Sequence, residues 1–170
     1  MPEPTALVLL TPELDPAVDG WRRRYDPSAA WGVPAHVTVL YPWKQVEEVT
    51  ADDRTALGEL CRDLPALELV FERMGRFSET LWLDPQPTQP IRALIDVVGA
   101  QWPLYPPYGG MFDEVIPHLT VADGHQPGAL TALVGDLERQ LPLRTSVGAL
   151  TLMRLAGDRW VVDSAFPFGG

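Results

Sequence analysis

The chain has 170 residues, 46% of them hydrophobic, and a formal net charge of −10. That length fits one domain with a core of its own, and 23 carboxylates against 13 basic side chains argue against a reader of long nucleic acid, which must neutralise many phosphates. No apolar stretch approaches bilayer thickness, the run Ala6–Leu10 is too short for a signal peptide, and the single cysteine, Cys61, excludes an internal disulfide framework, so no membrane partner is expected and cytoplasm is the default.

Thr5–Leu10 reads as a short buried strand. Pro16–Tyr25 reads as a helix with Asp15 as N-cap and Pro16 in its first turn, and its Arg22-Arg23-Arg24 run reads as a solvated face. Val33–Tyr41 alternates apolar and polar side chains as a half-buried strand does, and Pro42 stops it. Asp52–Asp63 is a predicted helix whose Leu57, Leu60 and Cys61 form a core face. Leu67–Phe77 and Thr80–Leu83 read as paired strands around a turn at Phe77-Ser78-Glu79, followed by a Pro-rich connector, Pro85–Pro90.

The second half replays this order. Ile91–Trp102 is a predicted helix with Leu94, Ile95 and Val98 on one face, and Pro103–Gly110 is a loop. Val115–Ala122 is a second alternating strand, Gly128–Gln140 a helix, and Ala149–Leu155 and Trp160–Phe166 are strands flanking Gly157-Asp158. Each half runs strand, helix, alternating strand, helix, strand pair, with no clear first strand in the second half. This predicts an α+β fold built by internal duplication, with similar lobes at about 1–84 and 91–170.

Both alternating strands carry the same triplet. Only three histidines occur, and two open a His-x-Thr pattern: His36-Val37-Thr38 and His118-Leu119-Thr120, 82 positions apart (118 minus 36). The flanks repeat as well, Val33-Pro34-Ala35 against Val115-Ile116-Pro117. Side chains two apart on a strand share a face, so each imidazole stands beside its threonine while Val37, Val39, Leu119 and Val121 turn away. If the lobes face one another, each contributes one His and one Thr to a common cleft. Cleaving a cyclic phosphodiester with water needs a base, an acid and donors for the phosphoryl oxygens. Histidine titrates near neutrality and suits both proton roles, while Thr38 and Thr120 can donate where negative charge builds. Sequence leaves open which histidine is base and which acid.

The paired strands, with His36-Val37-Thr38-Val39-Leu40-Tyr41-Pro42 in the first and Tyr105-Pro106-Pro107-Tyr108-Gly109-Gly110 leading to Pro117-His118-Leu119-Thr120-Val121-Ala122 in the second, resemble the two-histidine phosphoesterase superfamily. Within it, the 2′-5′ RNA ligase-like branch is the nearest match, and the ending from Trp160 to Phe166-Pro167 resembles that branch too. The resemblance implies two antiparallel sheets forming a V-shaped groove with helices outside. It also implies metal-independent chemistry on cyclic or 2′,5′-linked phosphodiesters. Some RNA-processing relatives carry a basic residue shortly after the second triplet; here Ala122, Asp123, Gly124 and His125 follow, which weakens any implied ligation.

The expected catalytic residues are therefore His36, Thr38, His118 and Thr120. Tyr41, Trp43 and Tyr108 are candidates to stack on a base, and Arg154 to reach the phosphate. His125 sits in a turn and reads as solvated. Zinc binding by the three histidines lacks a close ligand pair, so neither metal nor cofactor is expected. The arginine excess over the one lysine, Lys44, fits phosphate gripping and a G+C-rich genome equally well. The chain is expected to be a monomeric phosphodiesterase acting on 2′,3′-cyclic phosphates or related small nucleotide diesters. The alternatives are an RNA-end ligase or cyclic phosphodiesterase acting on tRNA-like substrates, and a non-catalytic nucleotide binder.

Overall fold

The computed structural model describes residues 2–170. Eight strands and five α-helices alternate along it: β1 Thr5–Leu10, α1 Asp15–Tyr25, α2 Pro27–Ala30, β2 His36–Leu40, α3 Ala51–Arg62, β3 Leu67–Arg76, β4 Thr80–Gln86, α4 Gln89–Gln101, β5 Leu119–Asp123, α5 Thr131–Gln140, β6 Leu143–Val147, β7 Ala149–Ala156 and β8 Arg159–Pro167. The strands form two antiparallel four-stranded sheets, in the orders β2-β1-β7-β8 and β5-β4-β3-β6. The expected α+β class with two antiparallel sheets is thus what the chain adopts.

Neither sheet is made from one half of the chain, however. The hairpin β3-β4 lies in the sheet of β5, and β7-β8 lies in the sheet of β1 and β2. The strand that opens the second unit is β4, which pairs with β5 as β1 pairs with β2. On the reading of the chain as two duplicated units, this pairing puts their boundary at the Phe77-Ser78-Glu79 turn rather than within Pro85–Pro90. That stretch is no simple connector either, since Pro85 and Gln86 pair with Phe71 and Val70. The units exchange their last strands, and each sheet becomes a composite of both.

Asp15 does not cap α1 but lies inside its first turn, with Leu14 at the N-cap. By contrast α3 starts on a reciprocal capping box: the Thr50 hydroxyl accepts from the Asp53 amide (3.1 Å) and the Asp53 carboxylate accepts from the Thr50 amide (2.8 Å). Strand β6 was not expected; Leu143, Thr145 and Val147 alternate inward and pair with β3. The predicted strand at Val115–Ala122 begins only at Leu119, so His118 stands just before its ladder.

Most of the core is one cluster in which side chains from both sheets meet the inner faces of the helices. Helix α1 packs on β5 and α4 on β2, so each covers the histidine strand of the other unit, while α3 packs on β8. The two histidine strands are sheet edges and touch one another. No helix among the described residues is long and apolar enough to cross a membrane.

A second tie is polar. The Asp53 carboxylate accepts from Lys44 Nζ (2.8 Å) and from the Trp102 indole (2.9 Å), joining the segment after β2 to α3 and to the end of α4. Burial alone would raise the Asp53 pKa, but Lys44, the Thr50 amide and hydroxyl and the Trp102 N–H outweigh it and hold it down at about 2. Replacing Asp53 with Ala strands a partly buried ammonium and a buried indole N–H, and should cost about 2–4 kcal/mol in urea unfolding. Because the folded value lies below the ordinary one, the carboxylate stabilises the protein above about pH 4 and that contribution fades as pH falls toward 2. Asp53→Asn should lack this acid-dependent loss. An alanine variant within about 0.5 kcal/mol of wild type would contradict the role given to this tie.

Candidate active site

The four residues of the two triplets line one cavity of about 800 Å³ between the sheets. Strand alternation puts them there. Val37, Val39, Leu119 and Val121 are each no more than 1% exposed, whereas His36, Thr38, His118 and Thr120 are half-buried toward the cavity.

Each imidazole is held the same way. His36 Nδ1 lies 2.7 Å from the Pro34 carbonyl oxygen and His118 Nδ1 lies 2.7 Å from that of Ile116, in both cases two residues back. A carbonyl oxygen only accepts, so Nδ1 carries the proton in the neutral ring and Nε2 keeps its lone pair. Two oriented bases thus share one cleft. The first also has a buried support: the Arg22 guanidinium, 1% exposed, donates to Asp26 (3.1 Å), the Val33 carbonyl (3.0 Å) and Ser28 (3.1 Å). Arg22 is therefore not part of a solvated face, although Arg23 and Arg24 are exposed as expected. On the other side, His118 meets Phe77 edge-on (5.0 Å between ring centroids) and Trp82 (6.0 Å). Gly75 faces Trp82 across the β3-β4 pair, and a Cβ there would run into the indole. Only glycine lets that ring lie flat against the strand.

The two strands share a further irregularity. In β1-β2 the partner of Leu7 is Leu40 and that of Val8 is Thr38, so Val39 is an extra residue. In β4-β5 the partner of Leu81 is Ala122 and that of Trp82 is Thr120, so Val121 is an extra residue. Each histidine strand therefore bulges immediately after its threonine. A bulge shifts the alternation by one residue, which buries Leu40 and Ala122 and aims Tyr41 and Asp123, each three past a threonine, into the cavity.

The remaining sequence candidates divide. Tyr41 and Tyr108 line the cavity, and the Tyr108 N–H donates to the Tyr41 carbonyl (2.6 Å). That bond sustains Tyr108 in the left-handed region at φ 52°. Burial pushes the Tyr108 phenol up, with Thr38 beside it acting in the opposite direction. Trp43, in contrast, is 2% exposed and packs edge-on against Trp102 (5.1 Å), so it belongs to the core and cannot stack on a ligand. Arg154 points away from the cavity toward Asp163 (3.6 Å). Sequence reasoning missed Trp31, Phe77 and Trp160 in the lining, and the carboxylates of Glu79 and Asp123. Only Trp31 carried a signal, as a large apolar residue beside Gly32 just before the first motif strand. His125 lies outside the cavity against Tyr25. Among the described residues no group of three or more His, Cys, Asp or Glu side chains is placed to hold a metal ion.

Both histidines bind protons weakly in the free protein. Burial pushes His36 down from 6.5 to about 4; its bond to Pro34 opposes the fall, Arg22 adds to it, Asp26 opposes it and His118 adds again. Burial lowers His118 too, with the Ile116 carbonyl and Asp123 acting against it. The rings still open onto the cavity, so a bound anion would raise both.

The family model described as the 2′-5′ RNA ligase superfamily matches residues 10–159. By sequence, no curated protein matches the chain. Among solved structures, E. coli LigT complexed with 3′-AMP is similar over the whole of both chains, with 19% identity and a TM-score of 0.62. The same protein complexed with ATP gives 20% and 0.58 over the whole of both chains. TT0787 of Thermus thermophilus gives 20% and 0.62, covering 100% of this chain and 99% of that one. At such identities the likeness is one of fold.

An NMR titration of the free protein should find both His36 and His118 below 6.5, with His36 the lower. Since an unfolded histidine takes a proton that the folded one refuses, stability should fall as pH drops from 6.5 toward 4. Adding inorganic phosphate should move both titrations upward. A value at or above 6.5 for either ring in the free protein would contradict the electrostatics of the cleft.

Proposed function

Because the chain belongs to the 2′-5′ RNA ligase superfamily, we propose that it is a metal-independent phosphodiesterase, opening 2′,3′-cyclic phosphates or related small nucleotide diesters by acid–base catalysis between two histidines. The observation that carries this reading is the matched pair of Nδ1–carbonyl bonds, which leaves two Nε2 atoms facing one cleft.

The roles follow from the surroundings of each ring. His36, the more strongly depressed, is neutral and takes a proton from the attacking water. The water oxygen bonds to phosphorus as the bond to the ribose oxygen breaks. His118, whose proton affinity Asp123 supports, gives its Nε2 proton to the departing oxygen. Thr38 and Thr120 donate to the non-bridging oxygens. The phosphate's charge raises His118, which takes up its Nε2 proton from solvent as the substrate binds. Tyr41, Trp31 and Trp160 offer aromatic faces to a base. The LigT structure holding 3′-AMP supports a nucleotide-sized ligand. The tRNA-directed ligase reading gains nothing from this cleft, because no lysine or arginine lines it among the described residues.

A screen of 2′,3′-cyclic mononucleotides, cyclic dinucleotides and 2′,5′-linked oligomers tests the reading. His36→Ala and His118→Ala should each lose roughly 10²–10⁴-fold in kcat with little change in Tm, while Thr38→Ala and Thr120→Ala should lose about ten- to a thousand-fold. Turnover should survive EDTA. Either histidine variant keeping more than about half the wild-type rate would remove that residue from the mechanism.

A further inference from the structure

The charge of the cleft is unusual for a phosphate site. Among the described residues its lining includes four carboxylates, Asp26, Glu79, Glu114 and Asp123, and no lysine or arginine. The basic residues nearest at hand are committed elsewhere. Arg22 is bound to Asp26 (2.9 Å), Arg92 to Glu114 (2.9 Å), Arg154 to Asp163, and Lys44 to Asp53. Arg76 and Arg159 adjoin Phe77 and Trp160 in the chain but do not line the cavity.

Two of the four carboxylates have no cationic partner among the described residues. Glu79 accepts from the Gln126 side-chain amide (3.0 Å) and Asp123 from the Thr80 hydroxyl (2.6 Å), both neutral donors. Asp123 is not there by drift: the bulge at Val121 turns it inward at the position where the other histidine strand presents Tyr41. Thr80 opens the strand paired with it, and Glu79 is the turn residue just before that strand. The His118 end of the cleft is therefore built acidic. The opposite wall is aromatic and neutral, with Trp31 55% exposed and Tyr41 edge-on to Trp160 (5.8 Å).

On this basis, and resting on the phosphodiesterase reading above, we propose that the site selects substrates with a single phosphate, and that Glu79 and Asp123 reject ligands bearing a second one. The one phosphate lies between the histidines and the two threonines, which suffice to hold a single charge. A second phosphate has no cation to meet and two carboxylates to repel it. Ribose hydroxyls, which can donate to Glu79 and Asp123, fit the same end without cost. The substrate class is then a singly phosphorylated diester with an otherwise uncharged nucleoside-like group. Polyphosphorylated nucleotides and 5′-phosphorylated RNA ends are excluded.

Binding by calorimetry tests this without relying on turnover, with adenosine 3′-phosphate and adenosine 3′,5′-bisphosphate as probes. At about 20 mM salt the monophosphate should bind roughly tenfold more tightly, the size expected from one or two like-charge pairs at water-like screening. The preference should shrink toward parity at about 0.5 M salt, where the Debye length is only a few ångströms. The Glu79→Gln/Asp123→Asn double variant, which keeps both hydrogen-bonding shapes, should also bring it toward parity at low salt. Equal or tighter binding of the bisphosphate by the wild type overturns the proposal while leaving the phosphodiesterase reading intact. A preference that persists unchanged in both high salt and the double variant overturns it as well, because the discrimination would not be electrostatic. Failure of both ligands to bind removes the proposal and the reading beneath it together.

Discussion

Everything at the cleft depends on the burial of four apolar side chains. Val37 and Val39 on one edge strand, Leu119 and Val121 on the other, sit in the core with almost no exposure. A register slip of one residue would move them to solvent and drive His36, Thr38 and Thr120 into the core, at a cost of about 1.5–3 kcal/mol for each large apolar side chain exposed. The hydrophobic effect therefore fixes which way the polar face of each strand points. The bulge after each threonine then adds a second layer of control, turning one further residue of each strand into the cavity.

Exchange of strands between the units makes the cleft hard to pull apart. Each sheet contains strands from both units, and each histidine strand is covered by the helix of the other. Separation of the two histidines would require breaking a sheet or lifting α1 or α4 from the core. Within that frame, the supports of the two rings differ. His36 rests near a buried Arg22–Asp26 pair that also grips the Val33 carbonyl, one residue before the one that holds its Nδ1. His118 rests against Phe77 and Trp82, with an acidic side chain nearby. Nearly symmetric geometry with unequal electrostatics fits the proposed division of labour, in which one imidazole accepts a proton while the other gives one.

The sequence made the motif strands legible because their information is local: alternation over five residues, repeated twice, needs no knowledge of distant contacts. Tyr41 and Tyr108 were legible for the same reason, by adjacency. Trp43 was misread because alternation ends at Pro42, and only the distant Trp102 and Asp53 reveal that the chain turns back into the core. Arg154 was misread because its ion partner, Asp163, lies on the far strand of a hairpin. Arg22 looked like its exposed neighbours in a charge run, and nothing in that run marks the one whose helical phase points inward. The bulges left no trace either, since Val39 and Val121 are ordinary strand residues and the extra residue exists only relative to the partner strand. β6 was within reach, as Leu143, Thr145 and Val147 alternate plainly. Exchange of strands was not, because it depends on pairings across more than half the chain.

The central claim is that two histidines from different units hold one phosphorus atom between them. A structure of the protein with orthovanadate tests it most directly. A single vanadate should lie in the cleft with the Nε2 atoms of His36 and His118 on opposite sides, each within roughly 3.2 Å of an oxygen, and with Thr38 and Thr120 donating to the others. Vanadate bound outside the cleft, or held by one histidine with the other turned away, would contradict the account.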